Sequence, residues 1–300
     1  MTHKIIIGLF FFVSIFTSSV SSEEQKQKFM TADDLSSFGN PPADKRFTYG
    51  EDKFQFADLR VPDGPGPHPV IILIHGGCWL SQHDIVHAGK LAQALADNGI
   101  ATWTLEYRRV GNEGGGWPGT FQDIAKGADD LLKVAKENNL DTSRVIVSGH
   151  SAGAHLALWL AARKDFKNNS IFSSTNKVQL KGVLALAPVP DLALAHKKGV
   201  CGNVINKLMH GSPAEQPERY AMASIPELLP IGIPQTLVVG RFDKSWYEAG
   251  QHYYQQALAA KDEVRLIEAT ESAHFEMIDP DSSTWPMILK AAQELLGIRQ

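Results

Sequence analysis

Gly149-His150-Ser151-Ala152-Gly153 stands between two segments of opposite character. The residues before it, RVIVS, have the apolar and β-branched composition of a buried strand, and those after it, AHLALWL, have the composition of a buried helix. Small residues two positions before and after the serine allow a sharp turn that lifts its Oγ clear of the sheet edge. The pattern predicts that Ser151 is a nucleophile on a strand-to-helix turn. A plain glycine-rich turn is the alternative, so the prediction depends on the rest of the site.

A second glycine turn lies upstream of this pentapeptide. The apolar run VIILI at 70–74 leads directly into HGGCW at 75–79. Glycines leave the neighbouring backbone N–H groups unobstructed, so we expect the N–H groups of Gly77, Cys78 and Ala152 to form an oxyanion hole. A turn that only ends a buried strand is the alternative.

Two later predicted strands end close to titratable residues. The run 235–240 is followed by Asp243, and the run 263–269 is followed by His274. The chain order of serine, acid and base predicts that Asp243 orients the imidazole of His274, which acts as the general base for Ser151. Asp191 follows another predicted strand and is a rival for the acid, with loop capping as its alternative role.

These three residue types are needed together because a serine hydroxyl is a weak nucleophile. A neutral imidazole must take its proton during attack and return it to the leaving group, and the carboxylate holds the imidazole in the required tautomer. The expected reaction is acyl transfer through an acyl-serine, completed by water. It requires no cofactor.

Three tryptophans fall on loops near these residues, and we expect Trp79, Trp117 and Trp246 to line a substrate pocket. Packing beneath the loops is an equal alternative for each of them.

A competing pattern is the pair His83 and His87, whose i, i+4 spacing is typical of a zinc-binding helix. The glutamate expected after the first histidine is missing, and no third ligand follows at a recognisable spacing. We therefore expect no metal site, and a polar helix face is favoured.

Strand and helix patterns alternate along most of the chain. Two antiparallel-type strands near 46–49 and 54–61 come first, and five helical patterns then separate six strands. This alternation predicts an α/β fold with a mostly parallel, twisted sheet of about eight strands and helices on both faces. We expect one catalytic domain over 46–300, with a long irregular connection at 191–234 that covers part of the site.

The N-terminal end indicates export. Residues 1–22 combine one lysine, an apolar stretch and small residues before Glu23, which is typical of a secretory signal peptide; an uncleaved anchor is the alternative. We expect a secreted or periplasmic protein with a polar N-terminal arm at 23–45 that lies outside the core. Two cysteines, Cys78 and Cys201, exclude a disulfide framework. Free thiols are the default expectation, and one bridge remains open.

The 300-residue chain is 43% hydrophobic and has a net charge of −4, with its basic residues scattered. This pattern gives no electrostatic footprint for nucleic acid or an anionic membrane. We expect a small-molecule ester or amide as the partner.

The chain resembles the α/β-hydrolase superfamily, in the His-Gly-Gly-x-Trp group of arylformamidases and small bacterial carboxylesterases. The resemblance covers about residues 60–297 and depends on HGGCW at 75–79, EYR at 106–108, WP at 117–118 with Asp123, and GHSAGAH at 149–155. It implies the α/β-hydrolase fold, the triad named above, and a structural pairing of Arg108 with Asp123.

Two departures bear on the expected substrate. Cys78 stands where formamidases commonly have an aromatic residue, and a signal peptide does not suit intracellular tryptophan breakdown. We therefore expect a secreted carboxylesterase. The alternatives are an arylformamidase, then a secreted polysaccharide deacetylase or feruloyl-type esterase, and, from another class, a catalytically silent binding protein on this fold.

Overall fold

The computed structural model describes Met1 and residues 28–163, 171–172 and 176–298. Apart from Met1, the predicted signal peptide lies outside the described residues. No helix in this described part is long and apolar enough to cross a membrane.

An eight-stranded sheet forms the centre of the molecule, with strand order β1-β2-β4-β3-β5-β6-β7-β8. The first two pairings, β1 with β2 and β2 with β4, are antiparallel, and the rest are parallel. This agrees with the predicted alternation. The strands are β1 Lys45–Thr48, β2 Phe56–Arg60, β3 His68–Ile74, β4 Ala101–Leu105, β5 Leu140–His150, β6 Val183–Leu186, β7 Gln235–Gly240 and β8 Val264–Ala269.

Helices cover both faces of the sheet because the central strands are apolar on both sides. Along β3, Val70, Ile72 and Ile74 join one buried cluster, whereas Ile71 and Leu73 join the other. The first cluster includes residues of α2, α3 and α7, and the second includes residues of α1 and α8. The helices are α1 Val86–Asp97, α2 Gly119–Val134, α3 Ala152–Ala162, α4 Leu192–Lys197, α5 Val204–Met209, α6 Pro217–Ala223, α7 Lys244–Ala259 and α8 Trp285–Leu295.

The connection at 191–234 differs from the expected irregular segment. It contains α4, α5, α6 and a 3-10 turn at Ile225–Leu228. Its apolar residues Ile205, Leu208 and Met209 are fully buried. Glycine and proline divide the segment into pieces too short for a clear helical period, yet each piece has enough apolar surface to pack on the core.

The N-terminal arm also differs from the expectation of a segment outside the core. Its described part forms a 3-10 helix at Ala32–Ser37. Leu35 and Phe38 pack against the cluster that contains α1 and α8, and the Lys90 ammonium lies 4.6 Å from the centre of the Phe38 ring. A few apolar residues in a polar stretch are sufficient to attach it.

Candidate active site

Ser151 lies at the turn between β5 and α3, as predicted. Its φ is 57° and its ψ is −120°, an unusual conformation for a residue with a side chain. The flanking glycines are required sterically: a Cβ on Gly149 would lie 2.3 Å from the carbonyl oxygen of Gly153, and a Cβ on Gly153 would lie 2.1 Å from that of Ile74. The backbone turns here at a point where larger residues do not fit.

The predicted acid and base are in contact. Asp243 follows β7 at the start of α7, and His274 follows β8 at the start of a 3-10 turn, Phe275–Ile278. The Nδ1–H of His274 donates to Oδ2 of Asp243 over 2.5 Å. The ring of His150, the residue before Ser151, lies with its centre 4.5 Å from that of His274. The structure therefore brings the serine turn, the acid and the base to one edge of the sheet, at the carboxyl ends of β5, β7 and β8.

Burial shifts the pKa values of this pair in opposite directions. It raises the pKa of Asp243 to about 7 and lowers the pKa of His274 to about 4. Each group is less stable in its charged form when it is removed from water. Because a hydrogen bond joins them, the two groups bind protons as a pair.

The rival acid, Asp191, caps a helix. It is the N-cap residue of α4, and its Oδ1 accepts a hydrogen bond from the backbone N–H of Leu194 over 2.9 Å. This is the capping role that the sequence left open for it, and the carboxylate bonded to His274 is that of Asp243.

The predicted oxyanion donors lie on two strained turns. Gly77, Cys78 and Trp79, here called the oxyanion turn, have φ values of 106°, 52° and 55°. Ala152 is the first residue of α3, so its N–H has no partner within the helix. Within the described residues, the N–H groups of Gly77, Cys78 and Ala152 donate to no other group. Unpaired backbone N–H groups are the kind of donor that the predicted oxyanion hole requires.

A disulfide joins Cys78 to Cys201, so the expectation of free thiols is wrong and the single bridge that the sequence left open is formed. The Cα atoms are 5.9 Å apart, although the cysteines are 123 positions apart in the chain. Cys201 lies between α4 and α5. The bridge therefore connects a predicted oxyanion donor to the 191–234 connection.

A buried polar cluster beside the oxyanion turn was missed by the sequence analysis. Glu106 Oε1 accepts a hydrogen bond from Arg109 and lies 3.2 Å from His75 Nε2, and its Oε2 accepts a hydrogen bond from the Ile85 N–H over 2.9 Å. The hydroxyl of Tyr107 donates to the His75 carbonyl over 2.9 Å. These bonds hold the chain on both sides of the turn, at His75 before it and at Ile85 after it, so the cluster supports the strained backbone between them. The sequence signal that could have identified this cluster is the group of charged residues directly after the apolar β4.

Arg108 and Asp123 form the pair that the resemblance implies. Arg108 donates from Nε and Nη2 to the two carboxylate oxygens of Asp123 over 2.8 and 2.7 Å. Gln55 donates to the same carboxylate over 2.7 Å. The pair ties the loop after β4 to α2.

The three tryptophans have different surroundings. Trp79 is fully buried in the core, and Trp117 is buried with its ring centre 5.2 Å from that of Phe121. For these two, the packing alternative describes the structure. Trp246 lies beside the candidate base, with ring centres 4.7 Å apart, and so is placed where a substrate could contact it.

His83 and His87 do not share a helical face, because α1 begins only at Val86. The side chain of His87 instead forms a hydrogen bond with His150 over 2.9 Å. Among the described residues, no group of three histidine, cysteine or acidic side chains could hold a metal ion.

A family model and several curated proteins are similar to this chain. A model of the BD-FAE family matches residues 58–241. The isoprenylcysteine α-carbonyl methylesterase ICME of Arabidopsis thaliana is 26% identical over 179 residues, which are 56% of this chain and 40% of that protein. Esterase EstD of Thermotoga maritima is 24% identical over 249 residues, which are 76% of this chain and 59% of that protein. The chain thus spans about half the length of these curated relatives.

The fold is shared with solved esterase structures. Esterase B from Lactobacillus rhamnosis superposes with a TM-score of 0.75 at 18% identity, covering 89% of this chain and 91% of that chain. At this identity the similarity concerns architecture, and it confirms the α/β-hydrolase fold.

Proposed function

This chain belongs to the BD-FAE family of α/β-hydrolases, and we propose that it is a serine hydrolase that cleaves small carboxylic esters. The observation that carries the proposal is the 2.5 Å hydrogen bond between His274 and Asp243 next to a serine held at a φ of 57°. Curated relatives are named as esterases, which supports ester hydrolysis as the reaction class.

In the proposed reaction, Ser151 Oγ attacks the ester carbonyl carbon while its proton passes to Nε2 of His274. The carbonyl oxygen becomes an oxyanion that accepts hydrogen bonds from the N–H groups of Gly77, Cys78 and Ala152. The carbon–oxygen bond to the alcohol then breaks, and His274 returns the proton to the departing alcohol. Water, activated by the same imidazole, cleaves the acyl-serine and releases the carboxylic acid.

The parts of the site contribute unequally to the rate. Removal of one oxyanion donor typically costs about 100- to 1000-fold in kcat. Loss of the nucleophile costs more, because proton transfer and covalent chemistry then stop together.

We propose in addition that the protein acts after export. The signal-like segment at 1–22 favours this, and the Cys78–Cys201 disulfide supports it because such bonds persist in oxidising compartments. The first residue of the exported protein should be about Glu23, and recovery of an uncleaved chain would argue for an anchor.

The proposal is tested with Ser151→Ala. We expect hydrolysis of short p-nitrophenyl esters to fall by at least about 1000-fold, with the unfolding temperature retained, because only the nucleophile is removed. Ser148→Ala is the matched control. It removes a buried hydroxyl from β5, the strand that leads into Ser151. This hydroxyl donates a hydrogen bond to the Leu184 carbonyl over 2.7 Å. That variant should lose about 1 kcal/mol of stability and keep its kcat.

The same assay also tests the competing functions. N-formylkynurenine is offered beside the esters, and a large preference for this formamide would make the protein an arylformamidase. Equal hydrolysis by wild type and Ser151→Ala would refute the serine mechanism. Absence of turnover on every substrate would favour a binding protein.

A further inference from the structure

We propose that His87 and His150 form a positioning pair that holds the candidate base in place, with residues 270–274 defined here as the base loop. The inference rests on the proposed esterase function, but the contacts that carry it lie outside the triad. His87 comes from the motif first considered for zinc, and His150 is the residue before the nucleophile.

The donor and the acceptor of each hydrogen bond in this pair can be assigned. His150 Nε2 lies 2.9 Å from the backbone carbonyl oxygen of His274. A carbonyl oxygen can only accept, so this nitrogen carries the proton and Nδ1 of a neutral His150 is an acceptor. His87 Nε2, 2.9 Å from that Nδ1, must then be the donor. His87 thus adds a second hydrogen bond, at Nδ1, that is compatible only with the tautomer of His150 that supports the base loop.

The pair also contacts the backbone just before the oxyanion turn. A Cβ on Gly76 would lie 2.9 Å from His87 Nε2 and 2.7 Å from the carbonyl oxygen of His150. The loop after β3, the nucleophile turn and the base loop therefore meet at these two rings. The two rings are thus in contact with the residue before the oxyanion turn and with the base loop.

Burial keeps both rings neutral. His87 is 8% exposed and His150 is 2% exposed. Removal from water lowers the pKa of each well below its ordinary value. Neutrality matters because His274 becomes positively charged during the reaction, and a second positive ring at 4.5 Å would oppose that charge.

Loss of His87 removes one of the two hydrogen bonds that hold His150 in this tautomer and orientation. In the other tautomer, Nε2 is a bare acceptor facing the His274 carbonyl, and the base loop loses its bond. Misplacement of a catalytic group by a fraction of an ångström lowers the rate of the chemical step and leaves substrate binding little changed. A positioning role therefore predicts a loss in kcat rather than a rise in KM.

The experiment compares three variants on p-nitrophenyl butyrate. His87→Leu should lower kcat about 10-fold or more with KM within about 2-fold. His87→Gln keeps an amide donor near the position of Nε2 and should recover most of kcat. His68→Leu is the matched control. The exposed fraction of His68 is 7%, similar to the 8% of His87, but His68 is the first residue of β3 and so lies at the end of that strand far from the oxyanion turn. It should keep its kcat.

Hydrogen–deuterium exchange provides a second readout. Peptides that cover the base loop should exchange faster in His87→Leu than in wild type, and His87→Gln should restore protection. A merely structural role for His87 would lower stability in both variants without this difference.

Three results would overturn the inference: unchanged kcat in a folded His87→Leu, equal losses in the Leu and Gln variants, or an equal loss in His68→Leu. If His87→Leu does not fold, the Gln variant decides, because it should then be folded and active. If wild type and Ser151→Ala hydrolyse esters equally, the esterase proposal fails instead, while exchange of the base loop still tests the positioning pair.

Discussion

Ser151 adopts a backbone conformation that a serine does not prefer, and its neighbours must offset the cost. A residue held in such a region costs on the order of 1–3 kcal/mol, and it persists only where the surrounding structure determines it. The offset comes from Gly149 and Gly153, which allow the close backbone contacts, and from the buried strand and helix on either side. The strain supports a functional role, because a plain turn has no need of it.

Proton binding by the Asp243–His274 pair predicts the pH dependence. The active form has a neutral imidazole and an ionised carboxylate, and the first added proton binds to the pair near pH 7, the value to which burial raises the Asp243 pKa. That proton prevents His274 from accepting the proton of Ser151. We therefore expect kcat/KM to reach its maximum above this pH and to decrease as the pH falls through about 7.

The measurement is a pH profile of kcat/KM on p-nitrophenyl butyrate, with Ser148→Ala run in parallel. Both proteins should share the same acid limb, because Ser148 does not contact the pair. A flat profile down to about pH 5 would show that the pair does not bind its first proton near pH 7.

At the scale of elements, the oxyanion turn is held by contacts from several parts of the chain. Its three residues all have positive φ, and two of them carry side chains. Several contacts hold it: the Leu80 N–H donates to the Gly77 carbonyl over 2.9 Å, the Val110 N–H donates to the Trp79 carbonyl over 2.9 Å, and the disulfide attaches Cys78 to the 191–234 connection. The disulfide is the covalent member of this set.

Cys201→Ser therefore tests the disulfide from its distant end, leaving the backbone of Cys78 unchanged. We expect kcat to fall about 10- to 100-fold, below the full cost of losing an oxyanion donor, with KM nearly constant. The free energy of unfolding should fall by about 2–5 kcal/mol, because the bond closes a long loop.

Wild type treated with dithiothreitol, which reduces the disulfide to two thiols, should match this variant. Assays at low temperature keep both proteins folded. Full kcat in folded Cys201→Ser would show that hydrogen bonds and packing alone hold the turn.

At the scale of the whole molecule, the N-terminal arm reaches the same edge of the sheet as the candidate site. The Met30 N–H donates to Glu276 Oε1 over 2.7 Å, and the other oxygen of Glu276 accepts from the Ala273 N–H over 3.0 Å. The ring centre of Phe29 lies 4.7 Å from that of Phe242, the residue before Asp243. The arm thus contacts the loops that carry both the acid and the base.

A pair of truncations tests this contact. Removal of residues 23–30 should lower the unfolding temperature and reduce kcat several-fold, because a buried carboxylate loses one donor and the base loop loses a support. Removal of residues 23–27 retains Phe29 and Met30 and is the control, with wild-type values expected. Identical behaviour of the two truncated proteins would show that the contact has no effect on the site.

Much of the fold, and the elements that carry Ser151, Asp243 and His274, could be predicted because the signals are local. A strand buried on both faces is a continuous apolar run, as in 70–74, and a nucleophile turn needs its glycines within two positions of Ser151. The carboxyl ends of parallel strands meet at one edge, so the order of Ser151, Asp243 and His274 was sufficient to bring their elements together. Boundaries were less certain where short pieces share one segment, as in 191–234.

Contacts between distant parts of the chain required the folded molecule. Cys78 and Cys201 are 123 positions apart, and no local pattern states whether two such residues meet. The same holds for His87 and His150, which are 63 positions apart and belong to motifs that suggested a metal and a turn. Strand and turn patterns are set by each residue's neighbours in the chain, and they determine which elements form. Which side chains meet between those elements depends on how the elements pack in three dimensions. In this protein, that packing brings together the Cys78–Cys201 and His87–His150 pairs beside the candidate site.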